Sequence, residues 1–506
     1  MFKVTSAKKW SIVLVAALVC IAVLFSACNP TKPFKGVTPP TGEGIDSNGG
    51  IAVRYGDYIY YVNGYQSNES AENTYVETEP RVGSVVRIKI ADIEELLTIH
   101  DKDNLKDSEK TKEIAQAVRD HAETVIPNIY FSANTTTPAL NGIYIFGDRI
   151  YITTPNDKLT AGGNPRTNES VLMSYNLDGT EPERHFTFST TADASADTNN
   201  AQIWLYEDET THKVYATYEL EEKIYFLDVE AKTSTMVKQK GASEDEEAND
   251  TFTSVTFDFA GKALFFLDAD GSICKLALGT SEYDIILKNE TEEGEDHSHI
   301  TYTIKRANLG YVYYTVSNHS GVDELNGLIL YYANGEVVDQ VALPKATDNA
   351  YGWKADEVIL LIEEPTGYYG LYQCSGGDLK NLTTILSPDY NNKRITVEKL
   401  EGNLLYYTAE DETYVIDLEN VPTQETDGAP FKGTPYGKSL SMTSATGWGL
   451  PDVITIDLGE DGIVNYVFTL GTNTVSLVRF DPSTKTASKK TELTLTPQPK
   501  EEDDKK

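Results

Sequence analysis

Gly56-Asp57-Tyr58-Ile59-Tyr60-Tyr61-Val62-Asn63 sets out a unit that returns along most of this 506-residue chain. A glycine next to an acid makes a tight turn, and the Tyr, Ile and Val behind it have the bias of a strand. The unit starts again at Gly147, Lys213, Gly261, Gly310, Asp356, Gly402 and Asp461, with spacings of 91, 66, 48, 49, 46, 46 and 59 residues. The four spacings of 46–49 lie close to the period of blade-forming repeats, and the longer ones imply insertions.

Each unit reads as four strands. A first strand, as at 143–146, 203–206, 255–259 or 453–456, precedes the turn, and a second follows it at 58–62, 150–153, 214–218, 264–267, 312–316, 358–362, 404–408 and 464–470. A third runs at 172–175, 224–227, 328–332 or 475–480, then comes turn chemistry such as Asn176-Leu177-Asp178-Gly179 or Ser375-Gly376-Gly377-Asp378, then a weaker fourth strand. Eight such units predict an all-β chain, an eight-bladed β-propeller over 50–490, or seven blades if the last unit completes the first. Between the first two units Ile114, Val118, His121, Ala122 and Val125 fall at helical spacing, which predicts a helix over 107–125 and, with 92–99, a small helical insertion at about 91–125. Residues 491–506 read as a charged tail, disordered past Thr496.

The chain opens with Lys3, Lys8 and Lys9 and an uncharged apolar run from Trp10 to Ala27, the layout of an export signal at 1–27. Leu24-Phe25-Ser26-Ala27-Cys28 resembles the lipobox of bacterial lipoproteins, in which the cysteine is diacylated and the chain is cut before it. That resemblance implies a lipid on Cys28 and anchoring on the extracytoplasmic side of a bacterial cell membrane, since two or three acyl chains hold where one does not. Residues 28–49, rich in Pro, Thr, Gly and Lys, read as a flexible tether.

Without residues 1–27 the formal charge is −38. Such a chain lacks the clustered Lys and Arg that neutralise phosphates, so nucleic acid is excluded as a partner. Cys274 and Cys374 fall two units apart, beyond the reach of a disulfide, so two free buried thiols are expected.

Ala263-Leu264-Phe265-Phe266-Leu267-Asp268, Ile224-Tyr225-Phe226-Leu227-Asp228, Val312-Tyr313-Tyr314-Thr315 and Leu405-Tyr406-Tyr407-Thr408 resemble the Tyr-Trp-Thr-Asp repeats of low-density-lipoprotein-receptor propellers. They are similar also to bacterial lipoprotein domains of unknown function that share the pattern. The resemblance spans about 50–490 and implies a propeller displayed outside the cytoplasm.

Antiparallel strands put the turns after first and third strands on one face and the connections after second and fourth strands on the other. The first class is short; the second holds 63–83, 155–169, 241–250, 288–300, 344–352 and 421–451, and the helical insertion is assigned to it as well. Loops on a rigid scaffold carry function, so the elaborated face is the expected binding face. On it Trp353, in Tyr351-Gly352-Trp353-Lys354, and Trp448, in Thr446-Gly447-Trp448-Gly449, offer flat rings beside glycine for stacking on a sugar or peptide side chain, with Tyr351 and Tyr436 as companions.

Catalytic, cofactor and metal signatures are missing from the sequence. Glu292 to His299 supplies two histidines but no third fixed ligand, and Asp268-Ala269-Asp270-Gly271 starts like a calcium loop without its terminal Glu and reads as a hairpin turn. The reading is therefore a lipid-anchored module binding a protein or cell-surface glycan. The alternative is a polysaccharide lyase or hydrolase with carboxylates at the channel mouth.

Overall fold

The computed structural model describes residues 36–496 apart from 65–82, 127–140, 155–169, 189–200, 243–250, 290–299, 319–327, 343–349, 386–395, 422–433, 439–452 and shorter breaks of one to five residues. Among the described residues the strands form eight sheets in chain order, at 45–126, 144–188, 202–236, 238–287, 300–342, 350–385, 396–438 and 453–492. Each is an antiparallel meander of consecutive strands. The fourth adds Lys238–Gln239, which leaves the third sheet and pairs in parallel with Glu282–Leu287. The last strands form a sheet of their own and do not complete the first.

The second strands fall where the sequence places them: Tyr58–Val62, Arg149–Thr154, Val214–Leu220, Ala263–Leu267, Tyr311–Asn318, Glu357–Glu363, Leu404–Ala409 and Ile463–Leu470. Every residue of Tyr58–Val62 and Ala263–Leu267 is buried, rather than every other one. Both faces of these sheets are covered, which requires near-continuous apolar runs. The apolar clusters accordingly lie between successive sheets: Tyr144 and Phe188 with Leu205 and Tyr218, Trp204 with Phe252 and Phe266, Phe265 with Val312, and Tyr406 with Phe480.

First strands stand beside first strands. Ala52–Tyr55 lies next to Tyr144–Phe146, and Ile300–Asn308 lies between Thr253–Asp258 and Ala350–Lys354. Ala52–Tyr55 also lies next to Val453–Asp457, so the first and last sheets meet. Their largest cluster joins Ile59, Tyr61 and Ile114 to Tyr466, Phe468, Leu493 and Leu495. At this seam Tyr61 Oη donates to the Leu493 carbonyl at 2.9 Å, and burial drives the phenol's pKa upward. Asn63 bonds both polar groups of the Leu495 backbone. Residues 491–496 thus belong to the last sheet and the core, with Leu493 fully buried, and the expected charged tail begins after them. Thr491, Leu493 and Leu495 alternating with Glu492 and Thr494 is a strand pattern that the following charges obscure.

The two helices are α1, Ile90–Thr98, and α2, Asp107–His121. α1 buries Ile93, Leu96 and Leu97, spaced one turn apart, and α2 buries Ile114 and Val118. Glu109 accepts the N–H of Lys106 at 2.8 Å, which satisfies a donor at the start of α2. The insertion lies inside the first sheet, between Val85–Lys89 and Glu123–Ile126, and not between two units. It packs on the last sheet: Tyr466 Oη and Arg479 Nε both donate to Glu94, the latter at 3.2 Å, and the His100 ring bonds Thr491 Oγ1 at 2.8 Å. Among the described residues no helix is long and apolar enough to cross a membrane.

Residues 36–50 are not a free tether. Ile45–Asp46 pairs with Ala52–Tyr55 on the edge away from Tyr58–Val62. Asp46 Oδ2 accepts the Thr455 N–H of the last sheet at 2.7 Å, while Asn48 and Gly49 bond Ile145 and Ile143 of the second. One short segment therefore touches three sheets.

Candidate functional site

A repeated hydrogen bond defines the two edges of the sheets. The residue leaving a third strand donates its N–H to a carbonyl beside the first turn: Ile90 to Asp57, Leu177 to Asp148, Leu278 to Lys262 and Leu418 to Asn403, at 2.8–3.1 Å. First-strand and third-strand turns thus share one edge, as expected. The insertion follows a third strand, so it rises from this short-turn edge and not from the face of the long connections. The stretch 421–451 is likewise divided: Thr434–Lys438 is the fourth strand of its sheet, and the connection that leads to it follows a third strand and so leaves from the short-turn edge at Leu418. The connections after second and fourth strands, including 63–84, 155–169, 189–201, 288–299, 386–395 and 439–452, leave from the other edge.

The sequence-selected aromatics are dispersed by this geometry. Tyr351 and Trp353 lie in the first strand Ala350–Lys354 of the sixth sheet, and Tyr436 lies in the fourth strand of the seventh. Trp448, Cys28 and the Glu292 to His299 cluster lie outside the described residues.

Described polar groups at the long-connection edge mostly hold the scaffold. Asn141 donates to Thr153 Oγ1 and to the Ala201 carbonyl and accepts the Ile203 N–H at 2.8 Å, which ties the second sheet to the third. Asp268 accepts from the N–H groups of Asp270 and Ser272, and Gly271 sits at φ +78° with its N–H on the Asp268 carbonyl. This is a hairpin turn, as read from its sequence. Beneath it Cys274 is a free buried thiol, its pKa raised by burial and then by the Asp268 carboxylate. Cys374 lies in Tyr369–Ser375, two sheets further on. Glu219 differs: it closes the second strand of the third sheet, and burial, aided by the charge of Glu222, raises its carboxyl pKa. On the opposite, short-turn edge Asp258 is fully buried and spends its two oxygens on the N–H groups of Gly261 and Gly310, so it joins the fourth and fifth sheets rather than offering an acid to a substrate.

Two constellations at the short-turn side were not apparent from sequence, because their members are distant or lie on different strands. Ser174 Oγ meets His185 Nε2 at 2.7 Å, with Glu183 3.9 Å from the other ring nitrogen. Ser174 is fully buried and receives the Arg149 Nε–H at 2.8 Å, so no reacting carbonyl reaches it. This is a polar brace between strands and not a nucleophile with its base. Asp92 and Glu95 of α1 and His121 of α2 bring ligand-type atoms within 4.8 Å of one another. His121 Nδ1 stands 3.4 Å from Asp92 Oδ1, a contact that pins the two helices.

No protein-family model and no curated protein matches this chain. Among solved structures it is similar to puromycin hydrolase, with 10% identity and a TM-score of 0.36 over 73% of this chain and 55% of that one. It is also similar to the β-propeller domain of the Trilobed protease from Pyrococcus furiosus, with 13% identity and a TM-score of 0.33 over 72% of this chain and 100% of that one. A third likeness is BamB from Moraxella catarrhalis, with 13% identity and a TM-score of 0.29 over 66% of this chain and 78% of that one. The chain thus spans about half the length of the hydrolase.

Proposed function

We propose that this protein is a lipid-anchored, extracytoplasmic binding module in which the eight sheets are blades of one closed propeller. Closure is supported by the seam between first and last sheets and by the run of neighbouring first strands. The Cys28 motif and the export signal before it support a lipid anchor. The ligand, a protein or a cell-surface glycan, is engaged on the long-connection edge.

One observation carries the binding assignment: the connections after second and fourth strands reach 22 residues at 63–84 and 17 at 127–143, while the first- and third-strand turns have two to six apart from the helical insertion and 418–433. Long insertions on one edge of a rigid stack are the usual seat of recognition.

The test is a thermal-shift screen of residues 36–496 against peptidoglycan fragments, cell-wall polysaccharides and peptides. A ligand at 100 times its Kd stabilises the fold by about 2.7 kcal/mol. A hit is followed by Trp448→Ala, which is expected to remove the shift. A hit that survives it, and is instead lost on changing the helical insertion, would move the site to the opposite edge.

A further inference from the structure

The path of residues 36–46 fixes which edge of the molecule faces the membrane. Val37 N–H donates to the Asp178 carbonyl at 3.0 Å, and Arg87 donates to the Thr38 carbonyl. Thr41 N–H donates to Asp57 Oδ1 at 3.0 Å, and the Asp57 N–H returns a bond to the Thr41 carbonyl at 3.2 Å. Gly56 N–H then reaches the Gly44 carbonyl at 3.1 Å. Asp57 and Gly56 form the first turn of the first sheet, and Asp178 lies in the third-strand turn of the second. The arm therefore lies across the short-turn edge.

The fit is close at two glycines. A Cβ on Gly36 would come within 2.6 Å of Thr180 Cγ2, and one on Gly56 within 2.3 Å of the Thr41 carbonyl oxygen. Both residues also sit at positive φ, +78° and +58°. Gly36 is thus held at the rim of that edge, beside Asp178 and Thr180.

From Gly36 back to Cys28 there are only eight Cα steps. Whatever their conformation, eight residues span at most ~29 Å. A six-residue strand is itself ~20 Å long, so a path around a sheet to the opposite edge would consume most of that reach. We propose that the anchored protein sits with its short-turn edge toward the bilayer, within ~29 Å of it, and presents its long connections outward. This rests on the reading of Cys28 as the lipidated residue.

Charge favours the same orientation. Lys32 and Lys35 lie between Cys28 and Gly36, where an anionic bilayer attracts them. The acidic runs Glu244 to Glu247 and Glu292 to Asp296 fall in connections after fourth strands, where they would be repelled. The outward edge is then free for a partner, and the arm acts as a short mooring.

The test uses the full chain, lipidated in a bacterial host and reconstituted in phosphatidylglycerol-containing vesicles with energy-acceptor headgroups. In a Cys374→Ser background a fluorophore is placed at Glu209→Cys, exposed on the short-turn edge, or at Ala269→Cys, exposed on the other. Strong transfer from position 209 and weak transfer from 269 is the expected result. Equal transfer, or stronger transfer from 269, overturns the orientation. Flotation of residues 29–506, which carry neither the lipid nor the apolar run, with the same vesicles separates the two readings. Its loss together with equal transfer sinks only the orientation, whereas its retention sinks the lipid anchor itself.

Discussion

The side-chain amide of Asn63 faces the peptide of Leu495, 432 positions along the chain, donating to its carbonyl at 2.9 Å and accepting its N–H at 2.8 Å. Both residues are buried. The amide does for the first and last sheets what a shared strand would otherwise do. Asn63→Ala leaves a backbone donor and an acceptor without partners in the core, each worth about 1–3 kcal/mol, and is expected to cost about 2–4 kcal/mol. Urea unfolding measures this as a lower midpoint with an unchanged slope.

The same seam makes residues 491–496 structural. Leu493 is fully buried beside Tyr61 and Phe468, so Leu493→Ala is expected to cost about 2–5 kcal/mol through lost burial and a cavity. Removal of 497–506 leaves the midpoint where it was. Comparing the two truncations, after 496 and after 490, separates core from tail.

Gly56 carries the arm. At φ +58°, with the Thr41 carbonyl where a Cβ would be, Gly56→Ala is strained in its backbone and also crowds out the segment bonded to Asp57. A loss of about 1–3 kcal/mol is expected. Limited proteolysis should cut between 36 and 50 faster in the variant while the sheets stay intact.

Two imidazoles make the protein sensitive to mild acid. Burial lowers the pKa of His185 and of His100, the latter helped by Lys489 and Lys110, below the ordinary 6.5. Between each folded value and 6.5 the unfolded chain binds the additional proton, so stability is full above pH 6.5 and declines as pH falls below it. His185→Gln and His100→Gln should each flatten the decline of the urea midpoint between pH 7 and pH 5. Glu219 works in the opposite sense: its raised pKa means stability falls as pH rises through its folded value, so Glu219→Gln should stabilise the protein at neutral pH.

Much of the scaffold can be read from sequence because its signals are local. Gly56-Asp57 and Gly147-Asp148 mark turns, both faces of Tyr58–Val62 are apolar, and Ile114 and Val118 mark a helix. What the helices touch is not local. Their place inside the first sheet depends on Glu123–Ile126 returning to pair with Val85–Lys89, a four-residue strand too short to stand out. Residues 36–49 look like a tether because Pro, Gly and Thr dominate them, yet Asp46 and Asn48 spend their side chains on backbone groups of the last and second sheets. The binding face is legible as an edge, from the lengths of its connections. Its aromatics are not, because Tyr351 and Trp353 turn out to lie in the first strand of the sixth sheet.

The meeting of first and last sheets is the claim on which the rest depends, and amine cross-linking followed by mass spectrometry tests it most directly. Lys110 donates to the His100 carbonyl, and Lys489 lies close enough to His100 to act on its charge. A link between a lysine of 102–112 and Lys489 or Lys490 is the predicted result. Links confined to neighbouring sheets, with none joining the helical insertion to residues 474–496, would contradict closure.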